Sequence, residues 1–141
     1  MRFIISTCLF LLYIMNSIPA IAQKKIANYP KNIIYFGNGG GFSGLETTYG
    51  LMESGDLYKK KNLGDEYTFL TRLKSDDVKQ IFLNFEFLGL ATMQLNEPGN
   101  TYSFIEISNS EKKHKLTWSG QAAPGNLKLF YSILQHFIQN Q

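Results

Sequence analysis

The chain has 141 residues, with 14 lysines and arginines against 11 acidic residues, and its formal net charge is +3. Charges of both signs are interspersed, so the sequence does not predict nucleic-acid binding, which needs a clustered basic surface. Its only cysteine is Cys8, which excludes a disulfide within the chain.

Residues 1–22 have the pattern of a secretory signal peptide. Arg2 gives a short positive start, an apolar run extends from Phe3 to Met15, and small residues stand at Ala20 and Ala22. The apolar run is shorter than the roughly 20 residues that cross a bilayer, so we expect cleavage rather than anchoring. The sequence therefore predicts an exported protein, periplasmic or extracellular, with no transmembrane segment after cleavage. Because the lone cysteine is lost with this segment, the mature domain is free of cysteine, and thiolate metal sites and cysteine nucleophiles are excluded.

The mature chain begins with strand patterns. Residues 23–31 are polar and predict a loose leader, and residues 32–141 predict a single domain. Apolar runs and the alternation of apolar and polar residues predict a short first strand, then a hairpin of two strands, then one more strand. The predicted strands are Ile33 to Phe36, Leu45 to Leu51, Leu57 to Lys60 and Glu66 to Arg72.

Two stretches change to helical spacing, and a second hairpin lies between them. Ser75 is a good N-cap for a helix that ends at Gly89, and a second helix follows Pro124. The intervening strands are Thr101 to Ser108 and Lys113 to Ser119. The order strands, helix, strands, helix predicts an α+β domain, with a mostly antiparallel sheet of about five or six strands and two helices packed on one face.

A glycine-rich loop, Gly37 to Gly44, separates the first two strands. It contains G-x-G-x-x-G, but a strand pattern follows instead of a helix, so dinucleotide binding is not predicted, and no Gly-Lys-Ser/Thr follows for a P-loop. One interpretation is a hairpin connection whose glycines let Phe42 fold back over the sheet. The other is a site whose backbone amides cradle an anion or a partner's chain.

A second special loop is the segment Asn96 to Asn100, whose Pro98-Gly99 pair fits a type II turn. Trp118 and Tyr102 lie on strands expected to pair, where they could form an exposed aromatic platform for sugar or peptide, or belong to the core. The candidate binding residues are Gly39, Gly40, Gly41, Phe42, Ser43, Asn96, Asn100 and Trp118.

Catalytic motifs are weak in this sequence. Ser43 lies beside glycines but not in the G-x-S-x-G motif, and only His114 and His136 could serve as a base. No metal-ligand spacing and no cofactor fingerprint is present, so no catalytic residue, metal or cofactor is assigned. A small secreted hydrolase that uses Ser43 or a carboxylate with His114 stays an alternative.

Several stretches together resemble uncharacterised small exported proteins of the Bacteroidetes group. They are Tyr35 to Gly44, Tyr49-Gly50-Leu51, Gly55-Asp56-Leu57, Asn96 to Asn100 and Thr117-Trp118-Ser119-Gly120. The resemblance implies an exported bacterial protein and no activity, substrate or catalytic residue. Our leading hypothesis is a non-enzymatic binding or interaction module of the bacterial envelope, with a protein, peptide or glycan as its unidentified partner. The alternatives are the hydrolase and a purely structural domain.

Overall fold

The computed structural model describes residues 23, 25–120 and 123–139, so the predicted signal peptide lies outside the described residues. The described chain forms a seven-stranded sheet, two long helices and a short helical segment at residues 25–27. The elements are β1 (Ile33–Gly40), β2 (Leu45–Met52), β3 (Asp56–Lys60), β4 (Thr68–Arg72), α1 (Ser75–Phe87), β5 (Asn96–Glu97), β6 (Thr101–Ser108), β7 (Lys113–Trp118) and α2 (Gly125–Gln139).

The strands lie in the order β4-β3-β2-β1-β6-β7-β5. Neighbouring strands are antiparallel except β5, which runs parallel to β7. The predicted α+β class and mostly antiparallel sheet are confirmed, and the prediction of about five or six strands is roughly matched by the seven strands of the sheet. The difference includes β5, a two-residue strand in a segment predicted as a turn. It forms because the Leu95 carbonyl accepts a hydrogen bond from the Thr117 N–H at 3.0 Å.

Both long helices contribute to the apolar cluster on one face of the sheet. Phe85 of α1 and Phe130 of α2 meet edge to face, with ring centroids 5.6 Å apart. Ser75 is the first residue of α1 rather than its cap, since Lys74 stands at the cap position without a side-chain cap hydrogen bond. As predicted, Gly89 follows the helix with a positive φ of 73°. In the part of the chain that the structure describes, no helix is both long and apolar enough to cross a membrane.

The N-terminal segment covers part of the opposite face. Ile26 is buried there in a second apolar cluster that includes Ile33 and Met52, and the Tyr29 hydroxyl accepts a hydrogen bond from the Ser54 N–H at 2.9 Å. This arrangement differs from the predicted loose leader at residues 23–31. The reason is that Ile26 and Tyr29 stand three residues apart, one helical turn, so a mostly polar segment still presents an apolar side.

Candidate functional site

Strand β1 continues through half of the glycine-rich loop. The sequence predicted its end at Phe36, but β1 pairs with β2 and β6 as far as Gly40. The chain then reverses over residues 41–44, where the Gly44 N–H donates to the Gly41 carbonyl oxygen at 3.1 Å. Gly41 and Gly44 both have positive φ, 76° and 61°, which residues with side chains rarely adopt. The loop is therefore a tight hairpin turn on an extended glycine strand.

Two glycines within β1 are required by close approach of neighbouring groups. A Cβ atom at Gly37 would lie 1.9 Å from the carbonyl oxygen of Thr47, and one at Gly39 would lie 2.8 Å from the hydroxyl of Tyr102. The Tyr102 side chain passes over Gly39, and its hydroxyl donates to the Glu46 carboxylate at 2.7 Å. This hydrogen bond, with burial, raises the pKa of Tyr102. Part of the glycine pattern thus serves the sheet itself.

Phe42 stands at the tip of the hairpin with its side chain fully exposed. The interpretation that it folds back over the sheet is wrong. The turn is closed by the hydrogen bond between Gly44 and Gly41, so it is too short for the Phe42 side chain to reach back to the sheet. Ser43 is also exposed, and Leu45, at the start of β2, exposes 58% of its surface. The tip therefore presents apolar side chains to the solvent.

The two special loops lie together at one end of the sheet. The Gly41 N–H donates to the Asn100 carbonyl oxygen at 2.7 Å, and Gly40 is the register partner of Thr101. Strand β5 places Asn96 beside Thr117 of β7. Segments far apart in the sequence thus form one continuous surface.

A cavity of about 490 Å³ lies beside the paired residues Gly40 and Thr101, and its lining contains no residue of the Asn96 to Asn100 segment. It brings together the predicted residues Gly39, Gly40 and Trp118, while Phe42 and Ser43 stand at the adjoining tip. Its lining consists of Asn38, Gly39, Gly40, Leu45, Thr101, Tyr102, Ser103, Trp118 and Gly120. Its volume is in the usual range for small-molecule sites, roughly 300–1,000 Å³.

Sequence reasoning missed the polar residues of this cavity. Asn38, Ser103 and Trp118 are register partners across β1, β6 and β7, so their side chains stand in one row on the helix-covered face. Tyr131 of α2 closes one side of the row: its hydroxyl donates to the Gly37 carbonyl oxygen at 3.0 Å. One feature of the sequence could have indicated Asn38. Side chains alternate along a strand with a period of two residues, so Asn38 lies on the same face as Phe36.

Trp118 is mostly buried and packs edge to face against Tyr131, with ring centroids 5.2 Å apart. Its register partner is Ser103, so Tyr102, the next residue along β6, points to the other face of the sheet. The interpretation of Trp118 and Tyr102 as one exposed aromatic platform is therefore wrong. Trp118 belongs to the core and contributes its accessible edge to the cavity.

The strand register separates Ser43 from His114. His114 pairs with Ile107, which pairs with Ile34 of β1, whereas Ser43 lies beyond Gly40 at the other end of that strand. At about 3.3 Å per residue, the run from Ile34 to Gly40 covers roughly 20 Å. The His114 Nε2 atom instead lies 2.9 Å from the Leu90 carbonyl oxygen. The register gives no support to a nucleophile and base formed by these two residues.

Comparison with known proteins adds no function: no protein-family model matches the sequence, and no curated protein matches it.

Proposed function

We propose that this protein is an exported, non-enzymatic binding module of the bacterial envelope. Its recognition surface consists of the hairpin tip, residues 41–45, and the Asn96 to Asn100 segment beside it. The observation that carries the proposal is the hydrogen bond from the Gly41 N–H to the Asn100 carbonyl oxygen, which joins the two loops at one end of the sheet, next to the cavity that Gly40 and Thr101 line.

The exposed Phe42 supports a role in binding rather than in the fold alone. The requirements of the sheet account for Gly37 and Gly39, but a fully exposed phenylalanine contributes no burial to the folded state. Burying such a side chain in a partner would stabilise a complex by about 1.5–3 kcal/mol. Leu45, exposed at the start of β2, enlarges the apolar contact that a partner could cover.

We would test the proposal by affinity capture from a detergent extract of the bacterial envelope, with a tagged form of the protein as bait. Phe42→Ser is the informative variant, and Phe87→Ser is its matched control, because Phe87 is 88% exposed at the end of α1. We expect Phe42→Ser to reduce recovery of the captured partner at least about tenfold, the effect of losing roughly 1.4 kcal/mol. Phe87→Ser should recover as much of the captured partner as the wild type does.

Serine at the exposed tip is preferable to alanine at Gly39 to Gly41. An alanine Cβ at Gly39 or Gly40 would collide with neighbouring atoms, so lost binding and lost folding could not be separated. Thermal unfolding of each variant checks that the fold is intact. Equal recovery with wild type, Phe42→Ser and Phe87→Ser would contradict the proposed role of the tip.

A further inference from the structure

We propose that the cavity beside the hairpin tip binds a neutral carbohydrate chain, with Asn38 and Ser103 as its hydrogen-bonding residues. This inference rests on the proposed function, because it names the class of ligand for the same end of the sheet. It concerns the cavity and not the apolar tip, so the two can be tested separately.

The floor of the cavity is a row of side chains at which the helix-covered face changes from apolar to polar. Phe36, Ile105 and Leu116 are register partners in the preceding row, and all are buried in the core. Two residues further along β1 and β6, the same face carries Asn38 and Ser103 instead. Asn38 is exposed and Ser103 is partly exposed, and both line the cavity.

The uncharged lining favours a neutral ligand. Among the described residues that line the cavity, none is charged. The Asn38 amide and the hydroxyl groups of Thr101 and Ser103 both donate and accept hydrogen bonds, which matches the hydroxyl groups of a sugar. Trp118 adds a small apolar surface, since it lines the cavity with 5% of its surface exposed. An ionic ligand would find no side chain of opposite charge in the lining of this cavity.

A second cavity extends this surface along α2. Its volume is about 400 Å³, and it shares Trp118 with the first cavity. Tyr131, Ser132 and Gln135 line it and continue the supply of hydroxyl and amide groups, and Lys128 and His136 also belong to its lining. Two cavities that meet at Trp118 fit a chain of several sugar units better than a single monosaccharide.

An extended peptide is a poorer fit to the same surface. Peptides that bind to sheets usually add a strand to a free edge, where unpaired backbone groups supply the hydrogen bonds. The floor here is formed by β1 and β6, which are both paired on each side. Recognition must therefore come from side chains.

The test is an NMR titration of the isotope-labelled protein, expressed from its full sequence, with defined oligosaccharides. The neutral probes are maltopentaose, cellopentaose and the tetramer of N-acetylglucosamine, and the acidic probe is an oligogalacturonate. We expect at least one neutral probe to shift the backbone amide signals of Asn38, Gly39, Ser103 and Gly120. Asn38→Ala and Ser103→Ala should each weaken that binding about tenfold, while Ser110→Ala, in an exposed turn, should leave it unchanged.

Each other outcome overturns the inference. It fails if no neutral probe binds, if the oligogalacturonate binds more tightly, or if the shifts lie away from the cavity. Thermal unfolding of both alanine variants distinguishes a lost contact from a lost fold. If sugars do not bind but Phe42→Ser still abolishes partner capture, the carbohydrate inference falls and the binding module stands. If sugar binding depends on Asn38 while Phe42→Ser captures as much partner as the wild type, the carbohydrate inference stands and the proposed role of the hairpin tip is wrong.

Discussion

At the scale of single residues, the glycines of the first hairpin are required for two different reasons, backbone conformation and close packing. Gly41 and Gly44 adopt positive φ in the turn, whereas Gly37 lies in regular strand and is required by the closeness of the next strand. Phe42, the bulky residue among them, is held away from the fold. The hairpin thus combines a tightly constrained stem with an apolar tip that the fold does not use.

Replacing Gly37 with alanine should strongly destabilise the protein. The new Cβ atom would lie 1.9 Å from the Thr47 carbonyl oxygen, so β1 and β2 must shift apart. Overpacking of this kind costs about 3 kcal/mol, which urea unfolding would measure.

Gly64→Ala is the matched control for Gly37→Ala. A Cβ atom at Gly64 meets no atom within 4 Å, so we expect a change of less than about 0.5 kcal/mol. Equal stability of the two alanine variants would show that β1 and β2 tolerate a side chain at Gly37.

At the scale of secondary-structure elements, the N-terminal segment is a structural part of the domain. Ile26 is 5% exposed and lies in the second apolar cluster with Tyr58 and Tyr67. Tyr29 and Lys25 add contacts to the turn after β2 and to the start of β3. The segment therefore covers apolar side chains on one face of the sheet, as the two long helices cover a larger apolar cluster on the other face.

Ile26→Ala should lower the free energy of unfolding by about 2 kcal/mol, because it removes a buried aliphatic side chain. Leu63→Ala is the control: Leu63 is 77% exposed, and its truncation should cost less than about 0.5 kcal/mol. Urea unfolding measures both. If residues 23–31 were a loose leader, the two variants would be equally stable.

The spacing of apolar residues along the sequence predicted the helices and the hairpin strands, because these elements depend mainly on neighbouring residues in the chain. The 3.6-residue spacing of Val78, Ile81 and Phe85 predicts α1, and alternation predicts the strands of both hairpins. The short strand β5 was not predictable in this way, because it depends on a hydrogen bond between Leu95 and Thr117 that exists only after the sheet has formed.

The candidate site was predicted in its loops and at Trp118, whereas the polar residues of its floor, Asn38 and Ser103, were missed. Glycine and proline chemistry marks the loops at Gly41 and Asn100, because such residues have strong local preferences. The row of Asn38, Ser103 and Trp118 requires the order β1-β6-β7, and strand order is set by tertiary packing between distant segments. The two-residue period assigns each residue to a face but does not select its neighbours.

At the scale of the whole molecule, one buried carboxylate links the N-terminal segment to the edge of the sheet. Asp56 of β3 is almost fully buried, and it forms ion pairs with Lys25 and with Arg72 of β4. The Arg72 Nε atom lies 2.6 Å from a carboxylate oxygen of Asp56. Burial alone would raise the pKa of Asp56, but the hydrogen bonds from Arg72 and Lys25 outweigh it and lower this pKa below its ordinary value.

Asp56 should therefore make the stability of the protein sensitive to acid. Because its pKa is lower in the folded state than in the unfolded chain, its contribution is fully present above the unfolded pKa of about 3.9 and is lost as the pH falls through the folded pKa. Asp56→Asn should be less stable than the wild type near neutral pH, and the difference should shrink steadily below about pH 4. Urea unfolding across this range measures it, and Glu111→Gln, at an exposed position, controls for the change in net charge. A difference between wild type and Asp56→Asn that is as large at about pH 2 as at neutral pH would contradict the prediction, because the wild-type carboxylate would then not be the group that binds the proton.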